Sequence, residues 1–305
     1  MFRFKKEQKV LCLAGIYVGG QPGEYPTVLI GSIFYDGHKI VSDPADGEFD
    51  RSQAETLIKK QEEISEKTGN PCMLDVVGST AGALIKYIDF VSEVTDAPFL
   101  VDSSAPRIRI PAMKHAIEVG LGDRAIYNSI DHHVRNDEIT MLRELEVKSA
   151  VLMGYNPRNI WPEGRIEIFR GTFERKGLLE VAKESGIQNI LLDTAVLDVP
   201  NIGLAAKAIY LVKEEFGLPA GCGPANAVTT WKKVKKLGPY AYLVCAAGAD
   251  LVTIVMGADF VLYGPVEKAE AAFPSCAMVD AMIAYNARKY GIRPKTRSHP
   301  LYKIF

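Results

Sequence analysis

Residues 99–104 read FLVDSS, three apolar side chains running straight into an acid and two serines. A run that short and that apolar predicts a fully buried strand rather than a helix, and the strand delivers Asp102 to its C-terminal tip. Ser103, Ser104 and Pro106 then end it, and a helix-like pattern follows. A carboxylate at the mouth of a buried strand is costly unless a cation or a hydrogen-bond donor meets it. The same layout recurs in LDVVGST with Asp75, AIYNSI with Asn128, ILLDTA with Asp193 and AGCGPAN with Asn226. Acids and amides repeatedly stand where strands stop.

Working outward, the chain alternates steadily. Strands are expected over 27–34, 72–77, 99–102, 125–128, 150–154, 190–193, 219–223 and 260–263. Helices are expected over 50–68, 80–94, 108–119, 136–145, 177–185 (after a long insertion), 203–216, 226–236 and 267–290. A short hairpin at 8–18, with Gly15 near its turn, precedes the first unit, a polar loop at 36–48 holds His38, and a basic, proline-containing tail follows at 291–305. Strands alternating with helices at this spacing imply parallel pairing. Such a count favours a closed (β/α)8 TIM barrel over an open doubly wound sheet. No G-x-G-x-x-G follows the first strand, which speaks against a dinucleotide-binding fold. No linker divides the chain, so residues 1–305 read as one domain.

The bulk properties exclude several classes. A net charge of −1 leaves no global basic field for nucleic acid or acidic lipid, and the run Lys232-Lys233, Lys235-Lys236 reads as a solvated helix face. Five scattered cysteines show no zinc-binding spacing and suit a reduced, cytoplasmic protein, with Cys222 set apart by its glycine-rich surroundings. The N-terminus has no signal-peptide pattern. The most apolar window, 241–262, contains Asp250 and Asp259 and reads as a buried helix followed by a strand, not a membrane span.

In a barrel all strand ends face one mouth, so Asp75, Asp102, Asn128, Asp193 and Asn226 should converge. Any one of them could instead cap the helix that follows. Capping gives no reason for acids and amides to point together into one cavity. With no histidine or cysteine beside the acids a transition metal is not expected, while magnesium stays open. A reduced pterin fits the set better. Its N–H and NH2 donors suit carboxylates, and its carbonyl oxygen and N5 suit amides.

The runs GGQPGEYPTVLIGSIFY (19–35), HKIV (38–41), TGNP (68–71), IYNSI (126–130), DFVLYGP (259–265) and the closing HPLYKIF resemble the tetrahydromethanopterin S-methyltransferase H-subunit family. The resemblance extends over essentially the whole chain. It implies methyl transfer between N5 of a tetrahydropterin and a corrinoid. GCGPANAVTTWKKV (221–234) and the tail look closer to the bacterial methylcorrinoid:tetrahydrofolate methyltransferase branch, of the glycine-betaine type, so tetrahydrofolate is the expected pterin. The alternative is a tetrahydromethanopterin-specific component of a methanogen-like complex. The strand ends also resemble those of pterin-binding barrels at Asp102-Ser103, Asn128-Ser129, Asp193-Thr194 and Gly223-Pro224-Ala225-Asn226, the last departing in its Pro-Ala. By that resemblance Asn226 lies near N5 and is catalytic, Asp75 relays a proton, and Asp102, Asn128, Asp193 and Gly223 hold the ring. The chain lacks an Asp-x-His-x-x-Gly corrinoid motif, so cobalamin is expected on a separate protein docking over the mouth. No protein-bound metal is implied, and His132-His133 read as part of a polar loop. The apolar positions Ala271, Ala272, Phe273, Met278 and Met282 suit either a homodimer surface or barrel packing.

Three rivals remain at this point: a dihydropteroate synthase, which needs basic residues at the mouth; a non-catalytic scaffold within a membrane complex; and a magnesium-dependent barrel lyase using Asp75 and Asp102.

Overall fold

Apolar runs of three to six residues, buried on both faces, give strands that need a closed parallel sheet to satisfy their backbones. In the computed structural model, which describes residues 2–173 and 175–305, those strands form a closed barrel. They are β1 Val28–Ile33, β2 Cys72–Val77, β3 Phe99–Asp102, β4 Ala125–Ile130, β5 Ser149–Met153, β6 Asn189–Asp193, β7 Ala220–Cys222 and β8 Phe260–Pro265, in sequence order, with β8 returning to pair with β1. The expected (β/α)8 barrel is the observed fold.

Side chains alternate along each strand. Leu29, Leu74, Val101, Tyr127, Leu152, Leu192 and Val261 face outward into the layer beneath the helices. Val28, Ile30, Met73, Leu100, Ile126, Val151, Leu191 and Phe260 fill the barrel interior. The N-terminal hairpin, Val10–Leu13 with Ile16–Gly19, plugs the lower end by adding Leu13 and Val18 to that interior cluster. Its turn needs left-handed backbone at both central residues, Ala14 (φ 43°) and Gly15 (φ 89°), the geometry that matches the twist of a tight hairpin. With the bottom plugged and the interior packed, only the C-terminal strand ends are open to a ligand.

The helices are α1 Arg51–Thr68, α2 Ala81–Val94, α3 Pro106–Glu118, α4 Asn136–Glu144, α5 Pro162–Arg170, α6 Leu178–Glu184, α7 Val199–Phe216, α8 Pro224–Thr230, α9 Lys232–Lys236, α10 Pro239–Val255 and α11 Ala269–Ala287. Asp50, Thr80 and Asp198 cap α1, α2 and α7 through their side chains, and Gly69 and Gly217 close α1 and α7 in the left-handed conformation.

Several expectations are corrected. The single helix expected over 226–236 is two, broken at Trp231, and it starts earlier because Pro224 at its first turn is already preset for helix. Asn226 therefore sits in the first turn of α8 and not on the strand. The long insertion before α6 contains its own helix, α5, and a two-stranded ribbon, Gly171–Thr172 with Arg175–Lys176. The loop at 36–48 carries a small ribbon, and His38 is buried there, bonded to Phe34 N and Glu267. The apolar segment at 241–256 lies on the outside as α10, not in the core. Only Ala249, Asp250, Thr253 and Ile254 are buried on it, while Val244 is 71% exposed. Cys222 points into the barrel–helix layer, fully buried, and burial pushes its thiol well up, so it is a core residue. Along α11, Ala272 and Phe273 are buried against the barrel, whereas Met278 and Met282 stay exposed. Among the described residues no helix is long and apolar enough to cross a membrane.

Candidate functional site at the barrel mouth

The inward-facing positions at the top of the barrel are polar where the lower layers are apolar. They open into a cavity of about 430 Å³ lined by Asp75, Asp102, Asn128, Asp193, Gly223 and Asn226, together with Asp131, His132, His133, Met153, Tyr155 and Leu262. All the strand-end residues singled out in the sequence thus meet at one cavity. No lysine or arginine is among the residues lining it.

The two acids on neighbouring strands β2 and β3 face each other. Asp75 is buried, accepts from Ser32 Oγ at 2.7 Å, and lies 3.4 Å from Asn128 Nδ2. Asp102 is raised well above the ordinary carboxylate range, first by loss of hydration and then by the charge of Asp75 beside it. Asp75 is raised too, chiefly by burial. Two carboxyls this close in a poorly hydrated site cannot both ionise easily, so the pair loses its protons in two separated steps. Between those steps one can donate a hydrogen bond while the other accepts.

Asp193, across the barrel at the end of β6, is pushed up to about 6, mainly by burial. The backbone N–H of Ala195 donates to it at 2.7 Å, which pulls the other way. Just before it in space, Gly154 donates its N–H to Asp193 O at 2.7 Å, and any Cβ on Gly154 would lie 2.4 Å from the Phe169 ring. That close approach of the Phe169 ring of α5 to the end of β5 leaves room only for glycine.

Two buried arginines stand behind these acids without entering the cavity. Arg109 of α3 donates to Ser103 O and Ser129 O at 2.5 and 3.0 Å, tying together the loops after β3 and β4. It also lies over the Tyr127 ring at 4.9 Å and pairs with Glu138 at 3.5 Å. Arg165 of α5 donates to Thr194 O at 3.0 Å, Ala195 O at 3.3 Å and Asn201 Oδ1 at 3.1 Å, and also to Ile160 O. Each fixes its loops through carbonyls, so the mouth acids are held in place by backbone that is itself pinned.

Asn226 projects from the first turn of α8, exposed at the rim, with no side-chain hydrogen bond among the described residues. Gly223, the residue before the helix, leaves the floor beside it open. The Asn226 amide is thus unengaged and available to a ligand.

Sequence reasoning missed part of this site. His132 and His133 line the cavity, their rings 3.8 Å apart, and His132 Nδ1 is buried without a partner. Burial and His133 lower the His132 titration. Their position four and five residues past Asn128 was the readable signal, because loops leaving strand C-termini share the mouth. Ser32 was readable by parity with Val28 and Ile30. Arg109 and Arg165 gave no local signal, since nothing in their own segments says they are buried. No group of three or more His, Cys, Asp or Glu side chains among the described residues is arranged to hold a metal ion.

Comparison with known proteins places this geometry. The family model described as tetrahydromethanopterin S-methyltransferase MtrH subunit matches residues 6–295. The H subunit of tetrahydromethanopterin S-methyltransferase from Methanothermobacter thermautotrophicus is 45% identical over 311 residues, covering 100% of this chain and 100% of the relative. The H subunit of a putative mtx methyltransferase from Methanosarcina barkeri is 42% identical over 308 residues, covering 99% of each. Among solved structures, dihydropteroate synthase from Coxiella burnetii in complex with pteroic acid superposes with a TM-score of 0.62 at 18% identity, covering 89% of this chain and 98% of that one. That likeness is one of fold. The expected leaning toward a tetrahydrofolate branch is not supported, because the relatives' names carry tetrahydromethanopterin.

Proposed function

Since the chain belongs to the tetrahydromethanopterin S-methyltransferase MtrH family, we propose that this methyltransferase moves a methyl group between N5 of tetrahydromethanopterin and a corrinoid carried by a partner protein. The observation that supports it best is the polar ring at the mouth: three carboxyls, two of them side by side, and two amides, one unengaged, around one cavity of about 430 Å³, a set that matches the donor and acceptor edges of a reduced pterin. One barrel unit spanning residues 1–305 carries the activity.

In this reading the ionised carboxylate of the Asp75–Asp102 pair and Asp193 accept from the pyrimidine N–H and NH2 groups. The protonated member of the pair donates to the ring carbonyl, and Asn128 completes the edge. Each group is held by a strand or by an arginine-pinned loop, so little entropy is lost on binding. When the methyl group leaves, N5 keeps the bonding electron pair and must take a proton. Asn226 cannot supply a proton at neutral pH, but its amide can accept from protonated N5 and donate to the neutral nitrogen or its water as the charge changes. Asp75 relays the proton through water within the cavity. The corrinoid cobalt, when docked by its carrier, supplies the methyl acceptor or donor, and the barrel supplies positioning.

The dihydropteroate synthase reading, which shares the fold, is disfavoured because its pyrophosphate leaves from the carbon next to the ring, where the cavity has no lysine or arginine, while the nearest lysines, Lys235 and Lys268, line a separate cleft. A scaffold would have no use for paired, buried acids at a cavity.

The reading is tested by an anaerobic assay of purified protein with cob(I)alamin and either 5-methyltetrahydromethanopterin or 5-methyltetrahydrofolate. Turnover should favour the methanopterin substrate. Preference for the folate would return the protein to the folate branch, and no turnover or binding with either would remove the function. A pH prediction accompanies it. Asp193, at about 6 in the free protein, offers both oxygens as charged acceptors only when ionised. Hence kcat/KM for the pterin should fall as pH drops below about 6 and level off above it, and Asp193→Asn should lack that limb. A wild-type profile flat down to pH 5 would remove Asp193 from pterin binding.

A further inference from the structure

The lysine run in 232–236 is more than a solvated helix face. Lys232, Lys233, Lys235 and Lys236 lie on α9, and Lys268 ends the short helical turn that follows β8 at the open end of the barrel, where Lys235 lines a cleft with it. None of them pairs with a carboxylate among the described residues, although many exposed lysines elsewhere in the chain do. The acid closest in sequence, Glu267, is engaged by His38 at 3.0 Å. Between α8, α9, α10 and Lys268 runs a cleft of about 430 Å³ whose lining includes Thr229, Lys235, Tyr242 and Lys268. The Lys268 amine sits over the Tyr242 ring at 5.5 Å, and the Tyr242 hydroxyl bonds Thr229 Oγ1 at 2.9 Å, which fixes the cleft's shape.

The cleft begins one helical turn from the mouth. Thr229 follows Asn226 by three residues on α8, a spacing of about 5–6 Å on a helix surface. Asn226 borders the mouth cavity and Thr229 borders the basic cleft. Tetrahydropterins that carry one-carbon units bear their side chain on C6, the ring atom beside N5. That side chain ends in carboxylates in the folates and in phosphate and carboxylate in the methanopterins.

We infer that the Lys235–Lys268 cleft binds the anionic end of the pterin's side chain. This rests on the reading of the mouth as a pterin site with N5 beside Asn226. A ring so placed directs C6 and its chain toward α8 and the lysines beyond it. The unpaired ammonium groups then meet oxyanions that match their charge, and Tyr242 offers a flat apolar wall to the intervening part of the chain.

The test is a Lys235→Gln/Lys268→Gln double variant of the full chain, with free cob(I)alamin as methyl acceptor so that no partner protein contributes. Three substrates are compared: 5-methyltetrahydromethanopterin, 5-methyltetrahydrofolate triglutamate and 5,6-dimethyltetrahydropterin, which has no anionic tail. KM for both tailed substrates should rise about tenfold or more, with kcat within about twofold and the tail-less compound unaffected. A Lys235→Arg/Lys268→Arg variant should keep most of the wild-type KM, and circular dichroism should show all variants folded. A KM effect confined to methanopterin would narrow the site to its phosphate and still support the inference. Unchanged KM for the tailed substrates, or an equal loss on the tail-less compound, would overturn the inference and leave the mouth reading standing. If wild-type protein neither turns over nor binds any of the three, the mouth reading itself falls and takes the cleft with it.

Discussion

Replacing Asn226 by alanine should lower kcat for methyl transfer by about 10²–10³-fold, the usual cost of deleting one well-placed polar group that acts where charge changes. Pterin affinity should move little, because the proposed pose gives the ring edge to Asp75, Asp102, Asn128 and Asp193, which line the cavity away from α8. The side chain is exposed in the first turn of α8 and makes no hydrogen bond among the described residues, so its loss should not disturb the fold. Single-turnover kinetics with saturating pterin and cob(I)alamin separate the two effects. An Asn226→Asp variant adds a second handle. A carboxylate there can accept from protonated N5 but cannot donate to the neutral nitrogen, so it should rescue one direction of transfer better than the other. A loss of affinity as large as the loss of kcat would make Asn226 a binding residue and move N5 to another part of the mouth.

Asp102→Asn should weaken pterin binding by about a hundredfold. Each buried hydrogen bond to the ring is worth about 1–3 kcal/mol when its partner is left unsatisfied. An amide carries no charge and cannot exchange a proton with Asp75, so whichever face it turns to the ring it leaves that edge with weaker, neutral hydrogen bonds. The substitution also separates binding from stability. Asp102 is raised well above its ordinary range by burial and by Asp75, so it is poorly solvated in the free protein. Removing one of two crowded carboxyls relieves the free barrel, and unfolding by urea should show no loss of stability. Tight pterin binding by Asp102→Asn would show that β3 does not contact the ring.

The fold was legible because its signal is periodic and local. Short apolar runs such as 99–102 and 72–77 cannot be helices, and their regular spacing with amphipathic segments leaves few topologies. The strand-end acids were legible for the same reason, since closure of the barrel carries Asp75, Asp102 and Asp193 to one mouth whatever lies between them. What escaped depended on tertiary placement. The apolar sequence of α10 read as core, yet Val244 is 71% exposed, because hydrophobicity alone does not say which side of the barrel a helix covers. Pro224 starts α8 two residues before the expected boundary, so Asn226 lies within the first turn instead of opening it. Arg109 and Arg165 carried no signal in the sequence, yet both are buried, held by carbonyls of loops distant in sequence. Asp250, which argued against a membrane span, is buried on α10 with Oδ1 unbonded, and burial raises it well above its usual range. The lysines of α9 looked like solvent-facing charge until Lys268, over thirty residues later, was placed beside them.

The most direct test of the central claim is a crystal structure of the protein with reduced tetrahydromethanopterin bound under anaerobic conditions. The account predicts the pyrimidine edge within hydrogen-bonding distance, about 3 Å, of Asp102, Asn128 and Asp193, with N5 beside the Asn226 amide. A pterin bound outside the mouth, or seated in it with N5 turned toward His132 and His133, would contradict the account.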